Sequence, residues 1–410
     1  MNPLYNLGIQ AYRFGARIAM SRNVKAQKMI LGQQNSFPAL EAAIKPGQKW
    51  VWVHAASLGE FEQGRPMIEK LRRERPELKI LLSFFSPSGY EVRKNYPDAD
   101  LVVYLPFDTP DNARRWVEIV KPVAAIFVKY EFWGNYMQSL HRANIPVYLI
   151  SAIFRDSQIF FKPWGGAFRK ILRNYTHLFV QDNASAERLA RIGVTNVTVA
   201  GDTRFDRVTD IMRTAHDIDG MNAFVADAPM VFVAGSSWQP DEALFIPWLK
   251  ANPQVKSIIA PHEFNDDRIA DLRTQLGEGT VLMSEIKADP TKAASARHII
   301  VNCFGLLSSL YRYGHVAYIG GGFGTGIHNI NEAAVYGIPV LFGPNHRKFK
   351  EAGDMIECHG GAEITDSASI NAVLDRFLTN ADYRRECGKA AADYISRNIG
   401  ATDKIFKIIF

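Results

Sequence analysis

Two periodicities divide the chain. Residues 4–20 contain no proline, and Asn6, Gln10, Arg13 and Arg17 recur at spacings of four, three and four. That spacing predicts a helix with these polar residues on one narrow stripe. Leu4, Tyr5, Leu7, Ile9, Tyr12, Phe14, Ile18 and Met20 cover the rest of its surface. From Lys49 onward, short apolar runs alternate with amphipathic stretches. Strands are predicted over Trp50–His54, Ile80–Phe84, Leu101–Tyr104, Val123–Val128, Val147–Ile150, His177–Val180 and Val197–Ala200. Helices are predicted between them, as over Phe61–Arg73, Asn112–Ile119 and Ala184–Ile192. Continuously apolar strands that alternate with helices imply a parallel sheet covered on both faces, an α/β class.

The alternation pauses over Asp206–Ala228 and resumes after Pro229. A second set of strands is predicted over Met230–Ala234, Ser257–Ala260, Thr280–Met283, His298–Val301, Val316–Ile319 and Pro339–Phe342, with a helix over Asn380–Ile399 nearly closing the chain. The chain of 410 residues is too long for one ordinary core. We therefore expect a helix at 1–22, a Rossmann-like domain at 23–206, a linker at 207–228 and a second Rossmann-like domain at 229–410. Ligands of such sheets bind at the carboxyl ends of strands, and a cleft between two such domains is the expected site.

Charge changes this picture at one place. The net charge is +6, and five cations, Arg13, Arg17, Arg22, Lys25 and Lys28, precede the first acid, Glu41. The excess is a local patch, which argues against nucleic acid as the partner. A wide apolar face with a thin cationic stripe suits a helix lying in an anionic lipid headgroup layer. The alternative is a helix packed on its own domain. The apolar run is far shorter than the roughly 20 residues that span a bilayer. Cys303, Cys358 and Cys387 show no metal-ligand spacing and read as reduced thiols.

Three loops carry candidate chemistry. In His54-Ala55-Ala56-Ser57-Leu58-Gly59-Glu60, small residues would let a ligand approach the backbone, and Glu60 could take a proton from an attacking hydroxyl. The plainer reading of Glu60 is an acid complementing a helix dipole. Gly235-Ser236-Ser237, before Pro240, offers hydroxyls and backbone N–H groups to a phosphate, or is a capped turn. Residues 320–326 hold five glycines in seven positions, followed by Asn329 and Glu332. Such a loop must come close to something, and a phosphate at the following helix start is the simplest candidate. It is neither a P-loop nor a dinucleotide fingerprint in its usual context. Arg204 could meet a phosphate or form a salt bridge with Asp202 or Asp206, and His262 ends another strand. Lys162, Arg169 and Lys170 stand among Phe160, Phe161, Trp164 and Phe168, a mixture suited to a phosphorylated amphiphile or to a solvated helix face.

In their order these segments resemble the 3-deoxy-D-manno-octulosonic acid (Kdo) transferases, inverting glycosyltransferases of the GT-B fold. The resemblance rests on the HAASLGE loop, LSFFSPSGYE, YLPFDTP, YEFWGN, LISAIFRDS, FVQDNASAERLARIGV, GDTRFD, AGSS and GIHNINEAAVYGIPVLFGP, and runs over nearly the whole chain. It implies CMP-Kdo as donor, a tetra-acylated lipid A precursor as acceptor, and work at the cytoplasmic face of a bacterial inner membrane. It implies Glu60 as general base, with Ser57, Gly59, Glu131, Lys162, Arg169 and Lys170 toward the acceptor. It further implies Arg204, Ser236, Ser237, His262, Gly321, Gly322, Asn329 and Glu332 toward the nucleotide, and no metal or other cofactor. The chain departs from the family pattern where Lys129 replaces the first acid of Met-Glu-Thr-Glu and where His262 replaces an arginine. A nucleotide-sugar 2-epimerase of the same architecture and a lipid- or partner-binding scaffold without chemistry are the competing readings.

Overall fold

The computed structural model describes residues 3–410. The chain forms two compact units, residues 1–207 with 399–410, and residues 208–398. Each is built on a seven-stranded, all-parallel sheet of the α/β, Rossmann-like kind. In the first, β1 (Trp50–His54), β2 (Lys79–Phe84), β3 (Leu101–Tyr104), β4 (Ala124–Val128), β5 (Val147–Ala152), β6 (His177–Val180) and β7 (Val197–Val199) lie in the order β3-β2-β1-β4-β5-β6-β7. Alternate residues of β1 feed the two faces of this sheet. Trp50 and Trp52 join a core with Trp116, Phe127 and Tyr136, while Val51 and Val53 join one with Phe61, Leu82 and Phe179. Burial on both sides explains why these strands are unbroken apolar runs.

The second unit has β8 (Val231–Ser237), β9 (Lys256–Pro261), β10 (Thr280–Leu282), β11 (His298–Ile300), β12 (Val316–Ile319), β13 (Val340–Phe342) and β14 (Gly361–Glu363), in the order β10-β11-β9-β8-β12-β13-β14. The edge strand β14 escaped the sequence pattern because it is three residues long, begins with glycine and ends on an exposed glutamate.

The stretch expected as a linker bearing a helix-like run is helical over Arg204–Thr214 and Met221–Val225. The departure is at the carboxyl end. Gly400 adopts a left-handed conformation, and the helix Ala401–Ile409 that follows belongs to the first unit. Ile405 and Phe406 enter the core beneath β1, and Lys70 pairs with Asp403 at 2.9 Å. Asp206 accepts hydrogen bonds from the Gly400 and Thr402 amides and the Thr402 hydroxyl, capping that helix. Five apolar residues among the last six give no hint of which sheet they will cover, so the alternation alone placed them with the second domain.

Only part of the polar stripe of the amino-terminal helix, Pro3–Ala19, turns inward: Asn6 and Arg13 are half-buried, whereas Gln10 and Arg17 are exposed. Tyr5, Asn6, Ile9, Arg13 and Ala16 are half-buried or buried, while Leu4, Leu7, Phe14 and Ile18 are 61–73% exposed. The Tyr5 hydroxyl donates to Asp108 at 2.5 Å and accepts from the Gly134 N–H at 3.0 Å, and Asn6 accepts from the Asn135 side chain at 2.9 Å. Polar contacts at Tyr5 and Asn6 and apolar packing of Ala16 against Met29, Ile30 and Phe107 thus hold the helix, while Leu4, Leu7, Phe14 and Ile18 face outward. No helix among the described residues is long and apolar enough to cross a membrane.

Candidate functional site

The strand order reverses between β1 and β4 in the first unit and between β8 and β12 in the second, where β11 is also set between β9 and β10. Connections diverge at each reversal, which opens a crevice at the carboxyl ends of the two strands. The three loops singled out from sequence stand at the carboxyl ends of β1, β8 and β12, and Glu131 follows β4.

At the β1/β4 reversal, Ser57 caps the helix Leu58–Glu74 and Glu60 lies in its first turn. One carboxylate oxygen of Glu60 accepts from the Ser57 N–H at 2.8 Å and its hydroxyl at 2.7 Å. The dipole-complementing role therefore engages one carboxylate oxygen and leaves the other without a hydrogen bond among the described residues. Glu60 is half-buried and has no ion pair among the described residues. Burial, and after it the charge of Glu131, pushes its carboxyl above the ordinary carboxylate range, against the Ser57 hydrogen bonds and His54. A Cβ at Gly59 would stand in open space. Nothing within the chain requires glycine there.

Glu131, from the loop after β4, is buried and immobilised. Its Oε2 meets His54 Nε2 at 2.9 Å and accepts from Trp133 Nε1 at 2.5 Å, while its backbone carbonyl accepts from the Tyr175 hydroxyl. His54 is fully buried, with Nδ1 2.8 Å from Ser83 Oγ, which also accepts from Trp52 Nε1 at 2.7 Å. Two carboxylates thus share the crevice in different states, one locked against His54 and Trp133 and one without a counter-charge. Sequence reasoning quoted His54 without giving it a role, because its partner is 77 positions away. Lys129, at the end of β4, adopts a left-handed conformation (φ 70°), a strained backbone of the sort that gathers at functional sites.

The residues assigned toward the acceptor divide. Arg169 donates to the Lys162 and Pro163 carbonyls at 3.0 and 3.3 Å, closing its own loop. Lys162 is half-buried, whereas Lys170 and Trp164 are exposed. Arg204 forms the salt bridge with Asp202 at 2.7 Å, and Asp202 is buried. The alternative weighed for Arg204 is thus the contact present.

At the β8/β12 reversal the glycine loop comes close to protein backbone. A Cβ on Gly320 would stand 2.2 Å from the Ser236 carbonyl oxygen, and one on Gly322 would stand 2.5 Å from Gly343. Gly321 has φ 92°, and its N–H donates to Asp241 at 3.0 Å. Two of the close approaches that the loop required are therefore internal, and the Gly321 amide expected for a phosphate is bound to a carboxylate. The helix expected after the loop is reduced to Asn331–Ala334, too short for much dipole. Asn329 donates to Glu332 at 3.0 Å.

At the carboxyl end of β8, Ser236 has φ 53° and is half-buried, with no hydrogen bond from its hydroxyl among the described residues, whereas the Ser237 hydroxyl donates to Glu242 at 2.9 Å. His262 lies stacked between Trp238, at 4.7 Å, and His328, at 4.4 Å. Burial and then the neighbouring His262 bring the His328 pKa down to about 4. His328 therefore stands as a neutral ring near pH 7. No group of three or more His, Cys, Asp or Glu residues suited to a metal ion occurs among the described residues.

This arrangement has relatives. Residues 16–207 match the family model described as 3-deoxy-D-manno-octulosonic-acid transferase (kdotransferase). The chain is 28% identical to a 3-deoxy-D-manno-octulosonic acid transferase of Aquifex aeolicus, over 80% of this chain and 86% of that one. It is 23% identical to that of Haemophilus influenzae, over 89% and 87%. Among solved structures, the UDP-GlcNAc 2-epimerase of Neisseria meningitidis bound to UDP-GlcNAc superposes with a TM-score of 0.60 at 15% identity, covering 88% of this chain and 99% of that one. That likeness is one of fold, the GT-B pairing of two Rossmann-like units. The family model covers the first unit and relatives named 3-deoxy-D-manno-octulosonic acid transferase span most of both, so the chain resembles the glycosyltransferases of that family along most of its length.

Proposed function

We propose that this protein transfers Kdo from CMP-Kdo to a lipid A precursor in lipopolysaccharide synthesis, at the cytoplasmic face of the inner membrane. The observation that carries the mechanism is the unpaired, half-buried Glu60 at the β1/β4 reversal, with its pKa raised beside a locked Glu131. A raised pKa makes a carboxylate a stronger base toward a hydroxyl. An acceptor hydroxyl oxygen forms the bond to the anomeric C2 of Kdo, and Glu60 takes its proton. The bond from C2 to the phosphate oxygen breaks, and CMP leaves with the electron pair. Attack opposite the leaving group inverts the anomeric centre. Burial of Glu131 keeps it from the acceptor proton, and its charge keeps Glu60 basic.

On the donor side, the left-handed Ser236 and the rings of His262 and Trp238 favour the nucleotide at the β8/β12 reversal. Ser237, Gly321, Gly322, Asn329 and Glu332 shape that crevice through the internal contacts given above, and Arg204 acts through Asp202. Toward the acceptor, Ser57 orients Glu60, the bare Gly59 leaves room for the sugar, and Lys162 and Lys170 attract phosphate, with Arg169 bracing their loop. The outward apolar face of the Pro3–Ala19 helix supports a peripheral membrane position.

The test is incubation of the purified chain with CMP-Kdo and lipid A precursor, followed by CMP release and the mass of the lipid. Glu60→Gln keeps the Ser57 hydrogen-bond acceptor and should lower the rate by about 10²–10⁴-fold. A rate equal to wild type would remove Glu60 from the reaction.

A further inference from the structure

The groups placed toward the nucleotide in the second unit include no lysine or arginine. Ser236, Ser237, Gly321, Gly322 and Asn329 are uncharged, and Glu332 is an acid. The Gly321 amide is bound to Asp241 and the Ser237 hydroxyl to Glu242. His328 is neutral near pH 7. A nucleotide-activated sugar acid carries a phosphodiester and a carboxylate. Taking such anions out of water without a counter-charge is costly.

The counter-charge stands on the neighbouring loop. After β13 the chain runs through Asn345-His346-Arg347-Lys348-Phe349 into the helix Lys350–Glu357. Asn345 fastens this loop to the glycine loop. Its backbone N–H donates to the Gly322 carbonyl at 2.9 Å, and its side-chain amide donates to the Gly324 carbonyl at 2.7 Å. Phe349 closes on Gly326, where a Cβ would stand 3.1 Å from the ring. His346 pairs with Glu363 at 2.5 Å and packs edge-on against Phe342, and Lys350 pairs with Asp354. Arg347 and Lys348 are left over. Both are exposed, and neither has a hydrogen bond or ion pair among the described residues. Two adjacent cations are thus held against the glycine loop, at the strand ends where such sheets take their ligands. A guanidinium offers a planar fork to a carboxylate or phosphate, and an ammonium adds a mobile point charge. We propose that Arg347 and Lys348 form an anion subsite of the second unit for the charged oxygens of the sugar donor, those of its phosphate or of its sugar carboxylate. The subsite rests on the transferase reading and adds to it the cations that the other donor-side residues lack.

Binding of CMP and of cytidine to the full chain is measured by calorimetry, and the donor KM by the transfer assay, for wild type and for Arg347→Gln with Lys348→Gln. Both side chains are exposed, so the thermal midpoint should hold. With the phosphate in the subsite, the double variant should bind CMP about tenfold more weakly, the size of one charge-assisted hydrogen bond, and bind cytidine as wild type does. With the sugar carboxylate there, CMP affinity should hold and the donor KM should rise about tenfold. Either result supports the subsite and names its ligand. Arg347→Lys with Lys348→Arg keeps both charges and should retain most of the affinity. A double variant equal to wild type in CMP affinity and in donor KM would overturn the subsite. Equal weakening of CMP and cytidine would do the same, because cytidine carries no anion. A wild type that neither binds CMP nor releases it from CMP-Kdo would instead remove the transferase reading, and the subsite with it.

Discussion

Glu60 and Glu131 show how two identical groups come to differ through their neighbours. Burial is the larger cause of the raised Glu60 pKa, and the Glu131 charge is second. A group whose folded pKa is raised above the unfolded value of about 4.3 is ionised only at higher pH. The acid limb of kcat/KM should therefore lie above the ordinary carboxylate range. Glu131→Gln removes the second cause, and its side-chain oxygen can still accept from His54 and Trp133. The limb should move to lower pH without reaching the value of a free glutamate, because burial persists. The plateau rate should fall modestly as Glu60 becomes a weaker base. A pH profile of the variant checks both, and an unmoved limb would show that the two charges do not communicate. Glu60 was legible in sequence because the first turn after an apolar strand has a fixed address. The pairing of His54 with Glu131 was not, because tertiary folding brings residues 77 positions apart together.

Among elements, the glycine loop teaches the sharper lesson. Its composition correctly announced close approach, but close approach to a ligand and to backbone leave the same signature in sequence. Only the register of β12 between β8 and β13 brings Gly320 against Ser236 and Gly322 against Gly343. The glycines can be separated by substitution. Gly320→Ala forces a methyl group into the Ser236 carbonyl and should cost about 1–3 kcal/mol or more, seen as a lowered thermal midpoint. At Gly324 the nearest atom to a new Cβ is the Gly321 oxygen at 3.6 Å, an ordinary contact. Gly324→Ala should leave the midpoint within about 0.5 kcal/mol of wild type. If that bare position faces donor, the same variant should raise the KM for donor while stability holds. The amino-terminal helix was legible as an amphipathic element. Its orientation was not, since the Tyr5 and Asn6 contacts that set it reach residues more than a hundred positions on.

For the whole molecule, the two-unit α/β plan was readable because continuous apolar runs of strand length announce sheets buried on both faces. What the pattern could not supply was ownership of the carboxyl terminus. The helix Ala401–Ile409 covers β1 and the Leu58–Glu74 helix that carries Glu60, so the last residues of the chain stabilise the site opened by its first strand. Ile405 is fully buried there, and Ile405→Ala should destabilise the first unit by about 2–5 kcal/mol. The second unit has its own core around Phe232, Phe245 and Tyr318 and should be indifferent to the change. Hydrogen exchange read by mass spectrometry resolves the two. Protection should fall over Trp50–His54 and Leu58–Glu74 and stay at the wild-type level over Val231–Ser237 and Lys256–Pro261. Equal loss in both units would mean that they unfold as one body, and the terminal helix would then be no private support of the first. Selective loss would tie the reach of Glu60 to a helix more than three hundred residues away in sequence, through packing alone.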